Sequence, residues 1–309
     1  MSSAYEIHVM NPNVTAQTLA DRALNDAKQK KGAELIERHA AGQLVSWRDS
    51  ERGIPNPLVR CALFSARNHN VSRQLYGASN PLVFQVIGGG EVKYTGEELR
   101  QDDELVWMHL VHLCKEACSE WVSFTPYQFL KAIGWHTTKI YYARLFESFA
   151  RLAGGLIMVY NPGSDRGITT RLVARFAYAK KPHAKWTVRV FDKDDELLFL
   201  FETLYSRVDW DIRLALPEGI CSWLHGFLSS HREPFPHKIE TLALGAGLTL
   251  TPPNNDELTD AQRAKYRMDR LRDLRTKFRT AAATLVTVGF LESFELTRDG
   301  VLHVVRVPK

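Results

Sequence analysis

Residues 263–279, RAKYRMDRLRDLRTKFR, constrain the fold more than any other part of the sequence. With Asp260 the stretch holds eight Lys or Arg against three Asp, and this excess of +5 equals the net charge of the whole chain. Apolar residues recur through it at helical spacing, which favours an amphipathic helix over a disordered charged tail. The following GFLESFELTRDGVLHVVRV predicts a two-stranded hairpin. A basic helix that runs into a hairpin is typical of a winged-helix DNA-binding domain.

This helix has two distinguishable faces. Within about 80° of Leu271 on a helical wheel lies a stripe that predicts burial, made of Leu274, Phe278, Ala281, Ala282 and Leu285. The outer face has two basic flanks, formed by Lys265, Arg272 and Arg279 on one side and by Arg270 and Lys277 on the other. Short polar or acidic residues lie between the flanks, namely Asp269, Asp273, Thr276 and Thr280.

The outer face suits the major groove of DNA, because basic flanks hold phosphates while the side chains between them meet base edges. We expect base contacts from Asp269, Arg272, Asp273 and Thr276, with Arg275 as a second candidate for guanine. The remaining predicted DNA contacts of this region are Arg263, Lys265, Arg267, Arg270, Lys277, Arg279 and, in the hairpin turn, Arg298. The alternative is a solvated charged face with Asp269–Lys265 and Asp273–Lys277 pairs.

Length and composition predict a globular protein of two domains. The chain has 309 residues, of which 45% are hydrophobic and 24% charged, and domains usually hold about 100 to 150 residues. The pI near 9.0 favours a polyanionic partner. No apolar run of about 18 residues occurs and the N-terminal sequence lacks the pattern of a signal peptide, so we expect a cytoplasmic protein with no membrane partner.

The cysteines and histidines predict neither a disulfide framework nor a metal site. Four cysteines, Cys61, Cys114, Cys118 and Cys221, are few and scattered, so we expect them to be reduced. His109 and His112 lie near two of these cysteines in sequence. On a helix, however, the histidines point about 120° or more away from Cys114 and Cys118, so the four cannot share a tetrahedral ion. No cofactor is expected.

The sequence predicts an N-terminal arm followed by a first domain. Residues 1–57 read as an arm that is partly helical or flexible, and residues 58–212 as the first domain. In the latter, Thr125 and Pro126 start a short helix that Gly134 ends, and Thr137 or Thr138 caps a second helix, as in a helix-turn-helix. The hairpin of LIMVY and TTRLVARFAYA then takes the position of a wing, with WTVRVF as a third strand.

Residues 213–309 repeat the order of these elements. A helix in LPEGICSWLHGFLSSHR and a short helix ending at Gly245 precede the basic helix, which a Thr259–Gln262 capping box starts. Phe124–Gly134 and Phe235–Gly245 share a ten-residue spacing. The predicted fold is therefore α+β, with two tandem winged-helix domains related by an internal pseudo-repeat. In the first domain Lys139, Tyr141 and Arg144 are the predicted DNA contacts, and we expect them to contact phosphate more than bases.

Several long strings resemble the TrfA replication initiators of broad-host-range IncP-type plasmids. They are CALFSARN, VKYTGEELRQDDELVW, VSFTPYQFLKAIGW with KIYYARLFESFARL, and SSHREPFPHKIETLALGAG. The similarity runs from about Asn56 onward and weakens after Gly247. The resemblance implies tandem winged-helix domains that bind direct repeats, or iterons, at a plasmid origin. It also implies opening of an A+T-rich segment, with single-stranded DNA as a further partner.

The resemblance further implies recruitment of the host initiator, the replicative helicase and the sliding clamp, and a switch between DNA-binding monomers and inactive homodimers. The family's clamp-binding string, Gln-Leu-Ser-Leu-Phe, corresponds here to Gln43-Leu44-Val45-Ser46-Trp47. Gln43, Leu44 and Trp47 could still bind the clamp, but Ser46 removes one apolar anchor. Ala281, Ala282 and Ala283 replace more polar residues of the family, which implies a different iteron sequence.

Two other functions compete with this interpretation. Some plasmid initiators nick DNA with a tyrosine, and Tyr141-Tyr142 resembles a paired nucleophile. Such nickases also need a His-hydrophobic-His metal motif, which this sequence lacks, so we expect no enzymatic activity. The second alternative is a winged-helix transcriptional repressor without initiator activity. Direct repeats beside the gene would favour an initiator, and one palindromic site would favour a repressor, because twofold dimers match palindromes.

Overall fold

Helices alternate along the chain with strands, most of which form antiparallel sheets. The structure is a computed structural model that describes residues 47–308, except for 69, 118, 120, 162–165, 180–183, 192–199, 202–204 and 253–254. The described helices are α1 (Asn56–Val59), α2 (Gln101–Ala117), α3 (Pro126–Ala132), α4 (Lys139–Gly154), α5 (Trp210–Ala215), α6 (Ile220–Ser229), α7 (Ile239–Gly245) and α8 (Asp260–Thr287). This mixture of helices and sheets agrees with the predicted α+β class.

The strands are short. They are β1 (Glu51–Pro55), β2 (Phe64–Ser65), β3 (Leu75–Tyr76), β4 (Leu82–Gln85), β5 (Glu91–Glu97), β6 (Leu99–Arg100), β7 (Trp121–Phe124), β8 (Leu156–Asn161), β9 (Arg166–Thr170), β10 (Arg175–Ala177), β11 (Trp186–Arg189), β12 (Tyr205–Asp209), β13 (His237–Lys238), β14 (Leu291–Leu296) and β15 (Val301–Arg306). Most pair antiparallel with a neighbour, and β2 pairs parallel with β6.

Two parts of the chain share one topology. In the first unit, the order is α2, β7, α3, α4, β10 and β11, with β8 and β9 of the five-stranded sheet inserted between α4 and β10, and its sheet has the order β10-β11-β7. In the second unit, the order is α6, β13, α7, α8, β14 and β15 without such an insertion, and its sheet has the order β13-β15-β14. In both units the final strand lies between the strand before the second helix and the first strand of the ribbon.

The local signals that start and stop the helices act as predicted. The hydroxyl of Thr125 accepts a hydrogen bond from the backbone N–H of Gln128, with Pro126 at the first helical position of α3. Gly134 follows this helix with a φ of 72°, a left-handed conformation that glycine adopts at little cost. Thr138 is the N-cap residue of α4.

The predicted wing of the first unit is wrong in its strand assignment. Strands β8 and β9 do form a hairpin, but β8 pairs with β5 in a five-stranded sheet, whereas β7 belongs to a separate three-stranded sheet. Strands β10 and β11 occupy the predicted wing position instead, because β11 pairs with β7. The buried side chains of β8 meet those of β5, more than 60 residues upstream, and local sequence order gives no sign of this partner.

The predicted domain boundaries fall inside secondary-structure elements. Strand β1 is buried along its whole length and pairs with β12, so this part of the predicted arm belongs to the core. The expected boundaries at 57/58 and 212/213 fall inside α1 and α5. All described residues cluster in a single compact body, which contains both the first and the second unit. The rest of the predicted arm, residues 1–46, lies outside the described residues.

The second unit has its own apolar core. Side chains of α6, α7 and α8 and of the β14–β15 hairpin meet there. The largest fully buried members include Trp223, Phe227 and Phe278. Burying a side chain of this size contributes about 1.5–3 kcal/mol, so this core fixes α8 against the hairpin.

Candidate nucleic-acid interface

Helix α8 begins at the predicted capping box. The hydroxyl of Thr259 accepts a hydrogen bond from the backbone N–H of Gln262, and the Gln262 side chain accepts one from the backbone N–H of Thr259 at 2.9 Å. The two bonds satisfy N–H groups that a helix start would leave unpaired. The first turn of the helix is therefore held at Asp260.

Only the C-terminal half of α8 is anchored in the core. The buried residues match the predicted stripe and are Leu274, Phe278, Ala281, Ala282 and Leu285, with Leu271 partly buried beside them. From Asp260 to Asp273 the helix has no buried residue. The N-terminal half therefore exposes its basic side chains.

Three cations of α8 have no carboxylate partner. Lys265 and Arg279 lie on one flank of the outer face, whereas Arg267 lies four residues before Leu271, on the side of the buried stripe. All three are exposed, and within the described part of the chain none of them forms an ion pair. Arg272 is 81% exposed and lies 3.6 Å from Asp269, a contact that solvent screens strongly. This face therefore attracts anions.

The opposite flank of α8 is partly neutralised. The carboxylate of Asp273 accepts hydrogen bonds from Arg270 at 2.9 Å and Lys277 at 2.8 Å. The Asp273–Lys277 pair of the alternative interpretation is thus present, whereas Asp269 contacts Arg272 and not Lys265. Arg270 and Lys277 also line a groove of about 700 Å³, whose other wall includes Arg67 and Arg100. They therefore lie at the border between that groove and the outer face, since Thr276 and Thr280 line the groove as well.

Two arginines predicted to contact DNA have structural roles. Arg275 donates to the backbone oxygen of Arg298 at 3.2 Å, and a Cβ at Gly300 would lie 2.8 Å from its guanidinium. Arg275 thereby holds the hairpin turn against α8, and its role as a guanine reader stays a prediction. Arg263 donates to the backbone oxygen of Asn255 and to Asp260. The side chain of Arg298 is exposed at the turn.

The predicted contacts of α4 are arranged differently. Lys139 is exposed at the start of the helix, whereas the ring of Tyr141 packs against Trp135 and His136. Arg144 lies 3.1 Å from Asp102 and 2.6 Å from Glu218, with its guanidinium 4.3 Å from the ring centroid of Trp135. Arg144 is thus engaged within the protein, and only Lys139 of the three is free to meet a phosphate.

A buried ionic network explains this arrangement. Asp103 is fully buried and accepts hydrogen bonds from Arg73, Arg151 and Ser148. Burial, together with the adjacent Asp102 carboxylate, raises the pKa of Asp103. Burial opposes ionisation of Asp102 as well, but the guanidinium groups of Arg73 and Arg144 outweigh it and hold the pKa of Asp102 at about 2. Arg144 and Arg151 of α4 therefore compensate buried carboxylates.

Sequence reasoning missed a second basic region. Residues 166–191 hold seven Lys or Arg and no Asp or Glu, a net charge of +7 against +5 for α8. It includes strands β10 and β11, in which Arg175 is exposed. A search for acid-free stretches would have found it.

Trp47 does not occupy an exposed position of the kind a clamp-binding anchor needs. It is 3% exposed, and its indole N–H donates to Nδ1 of His112 at 3.3 Å while its ring stacks on Phe201. Gln43 and Leu44 lie outside the described residues. The prediction for Trp47 is therefore corrected, because this side chain belongs to the core.

The histidines of α2 are packed as neutral rings. Burial, with a smaller contribution from nearby Arg52, lowers the pKa of His109 to about 3 and that of His112 to about 4. Cys114 is buried, and burial raises the pKa of its thiol to about 12. Cys118 lies outside the described residues. Among the residues that the structure describes, no group of three or more His, Cys, Asp or Glu could hold a metal ion, and none of the described helices is long and apolar enough to cross a membrane.

The described residues thus define an α+β protein that displays a long basic helix beside a β-hairpin. A family model described as TrfA protein matches residues 20–261. The chain therefore belongs to the TrfA family, which confirms the resemblance. The match ends just inside α8, so the outer face of that helix lies almost wholly beyond the matched region.

A curated relative and two solved structures are also similar. The plasmid replication initiator protein TrfA of Escherichia coli is 30% identical over 207 residues, covering 66% of this chain and 53% of that relative. The chain thus spans about half the length of this relative. Two crystal structures of domains 2 and 3 of RctB align with a TM-score of 0.46 at 12% and 10% identity. They cover 71% and 81% of this chain and 84% and 97% of theirs.

Proposed function

We propose that this protein initiates plasmid replication by binding direct repeats in double-stranded origin DNA. Membership of the TrfA family supports the role. The observation that carries the DNA-binding part is the outer face of α8, where Lys265 and Arg279 are exposed without an acidic partner among the described residues. Exposed cations on a helix bind DNA phosphates and release counterions.

Both units act as winged helices in this proposal. Their shared element order and sheet order support it, with α4 and α8 as third helices and the β10–β11 and β14–β15 ribbons as wings. In winged-helix and helix-turn-helix proteins the recognition helix enters the major groove. Two tandem units in one chain suit direct repeats, whereas a palindrome requires a twofold axis.

The side chains of α8 take separate roles. Lys265, Arg267 and Arg279 contact phosphates, because flexible unpaired cations at the edge of a helix face reach the backbone. Arg272 and Asp269 meet base edges, since both are exposed and hold each other only loosely, 3.6 Å apart. Arg275 acts indirectly by fixing the hairpin turn.

Later steps of initiation follow from family membership alone. They are the opening of an A+T-rich segment, contact with the single strand so formed, recruitment of the host initiator, replicative helicase and sliding clamp, and an inactive homodimer. The protein acts in the cytoplasm and needs no cofactor in this proposal. It is also not an enzyme, and Tyr141 in particular packs against Trp135 and His136. Metal-dependent nicking of a supercoiled origin, abolished by Tyr141→Phe, would disprove that part.

Footprinting on the protein's own plasmid tests the central proposal. We expect protection of direct repeats and its loss in the triple variant Lys265→Ala, Arg272→Ala, Arg279→Ala. The matched control is Lys93→Ala, which removes a lysine from the five-stranded sheet where it pairs with Glu91. Unchanged repeat binding by the triple variant would refute the role of α8. Protection of one palindromic site, without opening of an origin, would favour the alternative of a transcriptional repressor.

A further inference from the structure

The three-stranded sheet of the first unit has one buried and one open face. Phe124, Val122 and Val188 point inward and are buried, and the ring of Phe124 stacks on Phe149 of α4. The alternate residues form the open face in two cross-strand rows. The first row is Arg175, Arg189 and Trp121, and the second is Ala177, Thr187 and Ser123.

The tryptophan of the first row is displayed to solvent. Trp121 is 40% exposed, whereas Trp107, Trp186 and Trp223 are each buried. The guanidinium of Arg189 lies 5.6 Å from the centroid of the Trp121 ring, within the range of a cation–π contact. A large aromatic ring is thus held in a defined place on an otherwise polar surface.

The rest of the open face is shallow and basic. Ser123 and Thr187 join their hydroxyls at 3.0 Å, and Ala177 completes a row of small residues beside the tryptophan. Arg175 is exposed at the end of the first row. Residues 166–191, which include both strands of the ribbon, contain no acidic residue. The surface therefore combines an exposed aromatic ring, a neighbouring row of small side chains and positive charge.

We propose that this face binds single-stranded DNA, with a base stacked on Trp121 and the adjoining phosphates on Arg175 and Arg189. Charge complementarity selects a polyanion, and the ring selects unpaired bases, because a duplex hides the faces of its bases inside the stack. Aromatic side chains beside basic residues bind single strands with little sequence preference. The inference extends the proposed function, in which an opened origin supplies such a strand, and it places the strand on a surface other than α8.

Fluorescence anisotropy on the full chain tests the assignment. The probes are an oligothymidine of about 20 nucleotides, long enough for a single-strand site, and a duplex carrying the direct repeats. Trp121→Ala should weaken oligothymidine binding at least about fivefold, while Trp121→Phe restores most of it and duplex affinity stays unchanged. Tyr127→Ala is the control, because it removes another exposed aromatic ring that lies on α3. Arg175→Ala is the second variant, since an exposed side chain can be truncated without disturbing the core.

Three outcomes would overturn the inference. They are no oligothymidine binding by the parent protein, unchanged binding by both Trp121→Ala and Arg175→Ala with folding confirmed by thermal melting, or equal loss on single strand and duplex. The first two leave duplex binding through α8 intact. Loss of duplex binding only in the α8 triple variant, with oligothymidine affinity retained, would separate the two surfaces.

Discussion

Helices α4 and α8 occupy the same place in their units, yet their arginines do opposite things. Arg144 and Arg151 of α4 point at the buried carboxylates of Asp102 and Asp103. On α8, Arg272 and Arg279 point to solvent, and only partial neutralisation by exposed aspartates occurs. A third helix therefore does not become a binding surface through its position alone. Its cations must also lack buried acids opposite them.

The ribbons after these helices show the reverse distribution. Residues 166–191 around β10 and β11 carry seven basic and no acidic residues, whereas residues 291–306 of β14 and β15 carry three acidic and two basic ones. The second unit thus concentrates positive charge on its helix and the first unit on its strands. We infer that the two units contact nucleic acid through different elements.

The largest effect on stability should come from removing a buried carboxylate that faces α4. Asp103→Ala leaves Arg73 and Arg151 without their fully buried partner and should destabilise the fold by about 3–5 kcal/mol. Urea unfolding at neutral pH measures the change. A loss below about 1 kcal/mol, the range of exposed ion pairs, would mean that the network is open to solvent.

The next largest effect should be a difference in DNA affinity between an arginine variant of α8 and one of α4. Arg272→Ala should weaken binding to the direct repeats by about 1–3 kcal/mol if Arg272 reads a base, with little change in thermal stability. Arg144→Ala should do the reverse, because Arg144 is held by Asp102 and Glu218. Equal weakening on repeat and random duplex would make Arg272 a phosphate contact. Loss of repeat binding in Arg144→Ala without destabilisation would break the comparison.

The sequence alone predicted the start and the buried face of α8, but it did not predict the contacts of the arginines of α4. The capping box of Thr259 and Gln262, the stripe of Leu274 and Phe278, and the hairpin turn at Gly300 are local signals, and all three are confirmed. The partners of Arg144 lie 42 and 74 residues away in the chain. Helical periodicity shows which face a side chain occupies, but it does not show which distant carboxylate packs against that face.

The pairing of strands was unpredictable for the same reason. Strand β8 lies next to β5 because Ile157 and Val159 bury their side chains with Tyr94 and Val92. This long-range contact places β8 in the five-stranded sheet, and β10 and β11 form a sheet with β7 instead. The basic character of that ribbon, in contrast, was visible in the sequence and needed only a count of charges.

Salt dependence should show how many α8 cations contact phosphate. Each phosphate contact contributes about −0.9 to the slope of log K against log salt. Lys265→Ala and Arg279→Ala should each reduce the steepness by about one such step, whereas Lys139→Ala of α4 should reduce it less if the first unit binds mainly through its ribbon. Binding titrations at several salt concentrations give the slopes. A flat dependence in the parent protein would contradict groove binding by α8.

The smallest effect on stability should come from Asp273→Ala, the exposed counterpart of Asp103. Asp273 also bridges two cations, Arg270 and Lys277, but all three side chains reach solvent, so the loss should stay below about 1 kcal/mol. Removing this carboxylate frees two positive charges beside the outer face, and non-specific duplex affinity should therefore rise at low salt. Urea unfolding and titration with random duplex measure the two quantities on one preparation. A stability loss as large as that of Asp103→Ala would show that this flank of α8 is structural, and burial of the carboxylate would then cease to be what distinguishes the two helices.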